Sequence, residues 1–111
     1  MNKNEILISV ILNNYNYSRY IAEAITSVLE QSYANFELII VDDGSTDNSK
    51  EIIEQFAKKD SRIKLCFKEN GGQASAFNAG YEAAKGDIIC FLDSDDYFAP
   101  EKLAEIKKMH T

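Results

Sequence analysis

The sequence predicts an α/β fold with an open, mostly parallel sheet and helices on both faces. Short apolar runs alternate along the chain with segments of helical periodicity. Strand–helix–strand units of this kind need right-handed crossovers, which place parallel strands side by side. We expect the 111 residues to form a single domain, and a chain of this size can still bury roughly two thirds of its unfolded surface. The predicted architecture is therefore Rossmann-like.

The first half of the chain predicts two strands and two helices. Residues 6–12 form a continuous apolar run, which indicates a strand buried on both faces. Residues 18–31 carry an apolar stripe at helical spacing, with Ser18 as the predicted N-cap. A second strand follows at 36–41. The turn-rich residues 42–47 then lead into a second helix, whose apolar positions are Ile52, Ile53 and Phe56.

The second half repeats the alternation. Residues 62–67 alternate in polarity and predict a more exposed third strand. Two glycines open an Ala-rich helix over 73–85, with Gly86 as its predicted C-cap. Residues 88–92 predict a fourth buried strand, and Pro100 suits the first turn of a last helix. Ligands of such sheets bind at the carboxyl ends of the strands, which selects residues 13–17, 42–47 and 93–97.

Three aspartates follow the fourth strand at once: Asp93, Asp95 and Asp96. Carboxylates held so close repel one another, which favours either protonation or a bound cation. Mg²⁺ or Mn²⁺ takes one or two carboxylates and completes its shell with water and substrate phosphates. The Asp-Ser-Asp spacing thus suits a metal that holds a diphosphate. An acidic turn that caps the last helix is the alternative reading.

The other two selected segments offer groups that suit a nucleoside. Asp42 and Asp43 could accept a hydrogen bond from a uracil ring or a ribose hydroxyl, and Gly44 permits a close turn. Asn13 adds an amide, and Tyr15 an aromatic face on which a base could stack. The residues Ser45, Thr46 and Asp47 are adequately explained as helix caps.

Composition narrows the class of protein. The net charge is −6, from 12 basic and 18 acidic residues. No excess of basic residues is available to displace counterions from a nucleic acid, so we expect no nucleic-acid partner. The longest apolar runs are far shorter than the roughly 20 residues that span a bilayer, and Met1 begins no signal peptide. We expect a cytoplasmic protein, with peripheral membrane attachment open for a longer form.

The cysteines carry little functional information. Cys66 and Cys90 lie in apolar runs without metal-ligand spacing. Buried reduced thiols are therefore expected, rather than a disulfide or a zinc site.

Four ordered segments cover nearly the whole chain. They are ISVILNNYN at 8–16, FELIIVDDGSTD at 36–47, NGGQASAFNAG at 70–80 and GDIICFLDSDD at 86–96. Together they resemble the N-terminal, nucleotide-sugar-binding part of the family-2 glycosyltransferases, which have the GT-A fold.

The resemblance implies an inverting transferase that uses a nucleotide-diphosphate sugar, with a UDP-sugar favoured, and Mn²⁺ or Mg²⁺. It implies Asp95 as the direct metal ligand and Asp93 as a metal ligand or ribose contact in a DxD motif. The residues implied to bind the nucleotide are Asn13, Tyr15, Asp42, Asp43 and Asp93. The acceptor, a saccharide or a lipid-linked molecule, stays unknown.

The chain departs from the family pattern in three places. Asn13 and Asn14 stand where many relatives have Pro-Thr or Thr-Ser. Phe77 stands where many have an Arg, so that a cationic contact to the nucleotide is either absent or supplied by Lys68. The family carries its catalytic base in an acceptor half beyond Thr111, so we expect residues 1–111 to be a truncated donor-binding domain. Surface left uncovered by the missing half would favour a homo-oligomer.

Two other functions stay open. A non-catalytic nucleotide-sugar-binding module would need no base. A haloacid-dehalogenase-like phosphatase fragment would also place a DxD motif after a buried strand, although there the motif normally opens the domain, whereas Asp93 follows three earlier strands.

Overall fold

The computed structural model describes residues 6–110; the Met1 start, on which the signal-peptide argument rests, lies outside them. Four strands alternate with four helices. The elements are β1 (Ile8–Asn14), α1 (Ile21–Leu29), β2 (Phe36–Asp43), α2 (Ser49–Lys59), β3 (Ile63–Lys68), α3 (Gln73–Ala83), β4 (Ile88–Asp93) and α4 (Lys102–Met109). The alternation predicted from the apolar runs is confirmed.

The strands form one sheet in the order β3-β2-β1-β4, with every pairing parallel. The central strand β1 pairs with β2 and with β4, and all seven of its residues are buried. Its register sets Asn13 beside Asp93 and Asn14 beside Asp42. The polar ends of three neighbouring strands therefore meet at one edge of the sheet.

Helices cover both faces of the sheet, as predicted. One face carries the larger apolar cluster, in which Ile25 of α1, Ile53 of α2 and Leu103 of α4 pack with alternate residues of the strands. On the other face α3 packs against Ile11, Ile39 and Val41. Successive strand residues point to opposite faces, so each strand contributes to both clusters.

Two sequence expectations about the strands differ in outcome. β3 is a partly exposed edge strand, as its alternating pattern predicts. The expectation of a buried fourth strand is wrong, because β4 is the other edge and only Leu92 of its residues is buried. An apolar run does not distinguish an edge strand from a central one. Cys66 and Cys90 are free thiols, each partly buried.

The predicted caps of α1 and α3 are wrong. The helix α1 begins at Ile21 after Tyr20, and Ser18 instead donates its N–H to Asp47 Oδ2. The helix α3 ends at Ala83, and Gly86 lacks the left-handed backbone of a glycine cap. A Cβ at Gly86 would lie 2.4 Å from Ser9 Oγ, so this glycine permits close approach to β1.

A buried carboxylate holds together the amino end of the sheet. Glu37 of β2 accepts hydrogen bonds from Ser9 Oγ at 2.5 Å, Lys64 Nζ at 2.5 Å and Lys85 N at 2.6 Å. Burial disfavours its charged form, but these three donors outweigh burial and lower the pKa of Glu37 below its ordinary value of 4.5. The Glu37 side chain thus joins β2 to β1, to β3 and to the α3–β4 loop.

The described residues include no helix long and apolar enough to cross a membrane.

We expect Gly80→Ala to destabilise the fold. A Cβ there would lie 2.4 Å from Ile11 Cγ2 and 3.2 Å from Val41 Cγ2. Overpacking costs about 1–3 kcal/mol, which exceeds the roughly 1 kcal/mol that alanine gains in helix propensity. Urea denaturation measures the free energy of unfolding. Asn78→Ala, at an exposed position of the same helix, is the control and should not destabilise. Unchanged stability in Gly80→Ala would refute the close packing.

We expect Glu37→Gln to weaken the pH dependence of stability. Because folding lowers the pKa of Glu37, its contribution is complete above about pH 4.5 and is lost as pH falls through the folded-state pKa. The amide cannot accept from all three donors, so stability at pH 7 should also fall by about 1–3 kcal/mol. Thermal unfolding from pH 7 to pH 3 gives both quantities. A parent and variant with parallel pH profiles would contradict the assignment.

Candidate functional site

An open cleft of about 440 Å³ lies at the carboxyl ends of β1, β2 and β4. The start of α3 and the loop before it close one side. The residues that line it are Asn13, Asn14, Tyr15, Tyr17, Asp43, Asn70, Gly72, Gln73, Ala76, Asp93, Ser94 and Asp95. The rule for parallel sheets thus located the cleft from the sequence. Several predicted site residues are the last residues of strands rather than loop residues.

Asp43 forms one wall of the cleft and is already hydrogen-bonded. Its Oδ1 accepts from Lys68 Nζ at 2.7 Å and from Gly71 N at 3.0 Å. Its Oδ2 accepts from Gly72 N at 3.0 Å and from Asn70 Nδ2 at 3.4 Å. Asp43 therefore fixes the β3–α3 loop against the end of β2.

Burial alone would raise the pKa of Asp43, but Lys68 and the two glycine N–H groups outweigh it, and the pKa lies below its ordinary value. The carboxylate is ionised at neutral pH. Lys68 is paired with it, so this lysine is not a free cation in the cleft.

Two glycines permit this loop arrangement. Gly72 has φ of 92°, a backbone conformation that side chains rarely adopt. Gly44 has φ of 77°, and a Cβ there would lie 2.6 Å from Asn70 N. The close turn predicted at Gly44 is confirmed, and the backbone it approaches belongs to the cleft wall.

Asp42 has a different place from its neighbour. It is completely buried and lies outside the cleft lining. Its Oδ1 accepts from Asn14 Nδ2 at 2.9 Å and from Ser45 Oγ at 2.6 Å, and its Oδ2 accepts from Ser45 N at 3.0 Å. Asp42 is therefore an internal acceptor that joins the end of β1 to the β2–α2 loop, and its contact with a nucleotide stays a prediction.

Three side chains that line the cleft keep buried polar atoms without a partner among the described residues. They are Nδ2 and Oδ1 of Asn13, Oδ1 of Asn14 and Oγ of Ser94. Asn13 is 9% exposed and Ser94 1%. Buried polar groups are nearly always hydrogen-bonded in folded proteins, so this concentration at one cleft marks a binding surface. Asn13 is a predicted site residue, whereas Asn14 and Ser94 lie in the selected segments 13–17 and 93–97 but were not assigned a role from the sequence.

Two tyrosines stand at the cleft, Tyr15 and Tyr17, 45% and 43% exposed. Tyr15 lies where the sequence predicts a stacking surface. The ring of Tyr17 is 6.1 Å from that of Tyr20, near the start of α1, and Tyr17 also lines the cleft. The helical periodicity that predicts α1 does not indicate that Tyr17, which precedes the helix, lines the cleft.

Asp93 and Asp95 both line the cleft and are exposed. Asp96 does not join them, because it faces a second cavity along β4 and its Oδ1 accepts from Tyr97 N at 2.8 Å. Of the five aspartates expected to gather at one edge, three therefore line the cleft: Asp43, Asp93 and Asp95.

The donor set fits a hard cation only in part. Within residues 6–110 no group of three or more His, Cys, Asp or Glu side chains is placed to hold a metal ion. Two exposed carboxylates with the unpartnered Asn13 amide nearby match Mg²⁺ or Mn²⁺, which draws its remaining ligands from water and substrate phosphate. The residues fit a metal that arrives with its substrate.

Positive charge is absent from the described lining of the cleft, which contains no Lys or Arg. Phe77 packs edge-on against Phe91, with ring centroids 4.8 Å apart, and lies outside that lining. An anionic ligand would therefore meet carboxylates, amides and tyrosines.

The sequence of this chain is similar to those of several glycosyltransferases. The chain is 52% identical over 100 residues to "Uncharacterized glycosyltransferase alr2836" of Nostoc sp., which is 89% of this chain and 31% of that protein. It is 48% identical over 91 residues to glycosyltransferase GlyG of Streptococcus pneumoniae, which is 81% of this chain and 30% of that protein. The chain thus spans about a third of the length of these relatives.

Solved structures show the same fold. S. aureus TarS 1-349 in complex with UDP superposes with a TM-score of 0.86 at 33% identity, over 93% of this chain and 31% of that one. Mannosyltransferase PcManGT from Pyrobaculum calidifontis, in complex with GDP-Man and Mn²⁺, gives a TM-score of 0.86 at 28% identity, over 94% of this chain and 32% of that one. The fold is that of the GT-A glycosyltransferases.

The family model described as glycosyl transferase family 2 matches residues 9–110, nearly the whole chain. Together with the identity to the Nostoc and Streptococcus proteins, this match confirms the resemblance carried by the four sequence segments. The chain belongs to glycosyl transferase family 2.

Proposed function

We propose that this chain binds the donor of an inverting glycosyl transfer, a nucleotide-diphosphate sugar, together with Mn²⁺ or Mg²⁺. The observation that carries the proposal is the cleft, where Asp43, Asp93 and Asp95 meet at the ends of three parallel strands with the Asn13 side-chain amide, which has no partner among residues 6–110. Amide and hydroxyl groups without partners suit the polar edges of a base and a ribose. The cleft volume of about 440 Å³ falls in the range of small-ligand sites.

The nucleotide is proposed to lie against Tyr15, with Asn13 hydrogen-bonded to it. Stacking of a base on an aromatic ring contributes about 1–3 kcal/mol. Asp43 shapes this end of the cleft, because it accepts hydrogen bonds from Gly71 N and Gly72 N and so holds the β3–α3 loop that forms the wall. UDP is the favoured nucleotide, because TarS, which was solved with UDP, is 33% identical to this chain, whereas the mannosyltransferase solved with GDP-Man is 28% identical.

The diphosphate is proposed to lie beside Asp95 and Asp93. Asp95 would hold the cation directly, and Asp93 would either ligate the cation or contact the ribose or a metal-bound water. When bound, the cation neutralises the diphosphate and stabilises its charge as the sugar leaves. The mannosyltransferase solved with Mn²⁺ supports this use of a metal.

Transfer also needs a base that takes the proton of the acceptor hydroxyl. The three carboxylates of the cleft already have proposed or observed roles. We therefore propose that the base and the acceptor site, for a saccharide or a lipid-linked acceptor, belong to the part of the relatives' length that this chain does not span. A non-catalytic binding module would share the cleft but never turn over donor.

We expect Asp95→Ala to abolish the dependence of UDP binding on Mn²⁺. The variant removes the carboxylate proposed to hold the cation at the diphosphate. Calorimetry with UDP, with and without Mn²⁺, should show at least about a tenfold loss of affinity in the presence of the metal, equivalent to 1.4 kcal/mol.

The matched control is Asp96→Ala, which changes the residue directly after Asp95 and makes the same change of charge. Because Asp96 faces the second cavity, this variant should keep the metal-dependent affinity of the parent chain. Equal UDP binding by the parent chain and Asp95→Ala under both conditions would remove the metal assignment.

We expect Tyr15→Ala to weaken UDP binding by about tenfold or more, because it removes the stacking surface. Tyr15→Phe keeps the ring and should bind within about threefold of the parent chain. Calorimetry of the three proteins in the presence of Mn²⁺ makes the comparison. If both variants bind UDP like the parent chain, the uracil ring of the nucleotide does not stack on Tyr15.

A further inference from the structure

The loop after β1 carries an unusual backbone conformation. Asn16 has φ of 58°, and it is the one non-glycine residue of the described chain with positive φ. Asparagine tolerates this left-handed region better than most residues because its short polar side chain can hydrogen-bond locally. Asn16 lies between Tyr15 and Tyr17, which both line the cleft, but is not itself part of the lining.

The Asn16 side chain reaches away from the cleft to the loop after β2. Its Oδ1 accepts from Thr46 N at 2.7 Å, from Asp47 N at 3.3 Å and from Thr46 Oγ1 at 3.4 Å. Its backbone N–H donates to Ser45 Oγ at 2.9 Å. The Asn16 residue thus ties the two loops together from both its backbone and its side chain.

Two of the residues that bond Asn16, Ser45 and Asp47, make further hydrogen bonds of their own. Ser45 Oγ donates to the buried carboxylate of Asp42 at 2.6 Å. Asp47 accepts from Ser18 N at 3.0 Å on one oxygen and from Ser49 N at 3.0 Å on the other. The loop that carries the two tyrosines is therefore hydrogen-bonded to the β2–α2 loop at Asn16 and again at Ser18.

We propose that Asn16 is a positioning residue, which sets Tyr15 and Tyr17 at the nucleoside end of the cleft by fastening the β1–α1 loop to the β2–α2 loop. This inference rests on the proposed function, because it assigns the tyrosines to a nucleoside. It concerns one end of the cleft only: Asp93 and Asp95 come from β4 and the loop after it, which Asn16 does not contact through these hydrogen bonds.

Two substitutions separate the backbone from the side chain. Asn16→Gly accepts the positive φ but has no side-chain acceptor for Thr46 and Asp47. Asn16→Asp keeps an oxygen at the Oδ1 position and also tolerates the left-handed conformation. Asn48→Gly is the matched control, since Asn48 is exposed in the neighbouring loop and makes no side-chain cap hydrogen bond.

In the presence of Mn²⁺ we expect Asn16→Gly to raise the Kd for UDP by about tenfold, and Asn16→Asp and Asn48→Gly to stay within about threefold of the parent chain. Binding of Mn²⁺ with inorganic pyrophosphate, which probes the other end of the cleft, should not change. Amide hydrogen exchange at Thr46 and Asp47 should be about tenfold faster in Asn16→Gly, because their acceptor is gone.

Equal UDP affinity in Asn16→Gly and the parent chain would overturn the inference while the proposed function stands. An equal loss for pyrophosphate would also overturn it, since Asn16 would then act on the whole cleft through stability. If the parent chain does not bind UDP, the proposed function fails and the positioning role fails with it. Unchanged amide exchange at Thr46 and Asp47 overturns the inference whatever the binding data show.

Discussion

The central constraint of this structure is the complete burial of β1 between two parallel neighbours. All seven residues of β1 are buried, and its pairing with β2 and β4 fixes where those strands end. When the apolar residues of these strands are buried in register, the polar residues that follow them all lie at the same edge of the sheet. The placement of Asn13 beside Asp93 is therefore a consequence of core packing, because the register that buries the isoleucines also pairs these two residues. Asp43 lies two residues beyond Val41, the β2 partner of Asn13.

Polar groups are treated differently at the two ends of the sheet. At the amino end Glu37 is buried but receives three donors, so its charge stabilises the fold. At the carboxyl end Asp42 and Asp43 are likewise satisfied, whereas Asn13 and Ser94 keep buried atoms without partners among the described residues. Of the buried side-chain polar atoms without a partner among residues 6–110, all but Ser49 Oγ belong to residues of the cleft, where a ligand would satisfy them. An unsatisfied buried polar group costs about 1–3 kcal/mol.

The sequence was sufficient to predict the alternation of strands and helices, the covered faces and the edge that carries the cleft, because these follow from hydrophobic periodicity. It could not separate Asp42 from Asp43. Adjacent strand residues point to opposite faces, so one carboxylate lies on the α3 side, in line with Ile39 and Val41, and the other beneath the loops. Which face α3 covers depends on the crossover, not on local pattern. The roles of Asn16 and Ser94 likewise depend on contacts between segments far apart in sequence.

The charge of the cleft limits how a diphosphate could bind. Asp43, Asp93 and Asp95 line the cleft without a Lys or Arg in the described lining, and Lys68 is paired with Asp43. Two unit charges 4 Å apart interact by about 4 kcal/mol at an effective dielectric constant of 20, so a diphosphate alone would be repelled by the exposed pair Asp93 and Asp95. A divalent cation between the diphosphate and these two carboxylates would replace the repulsion with attraction. The net charge of −6 is thus less important than its placement: the carboxylates that would exclude a bare nucleotide are those that suit a metal-bound one.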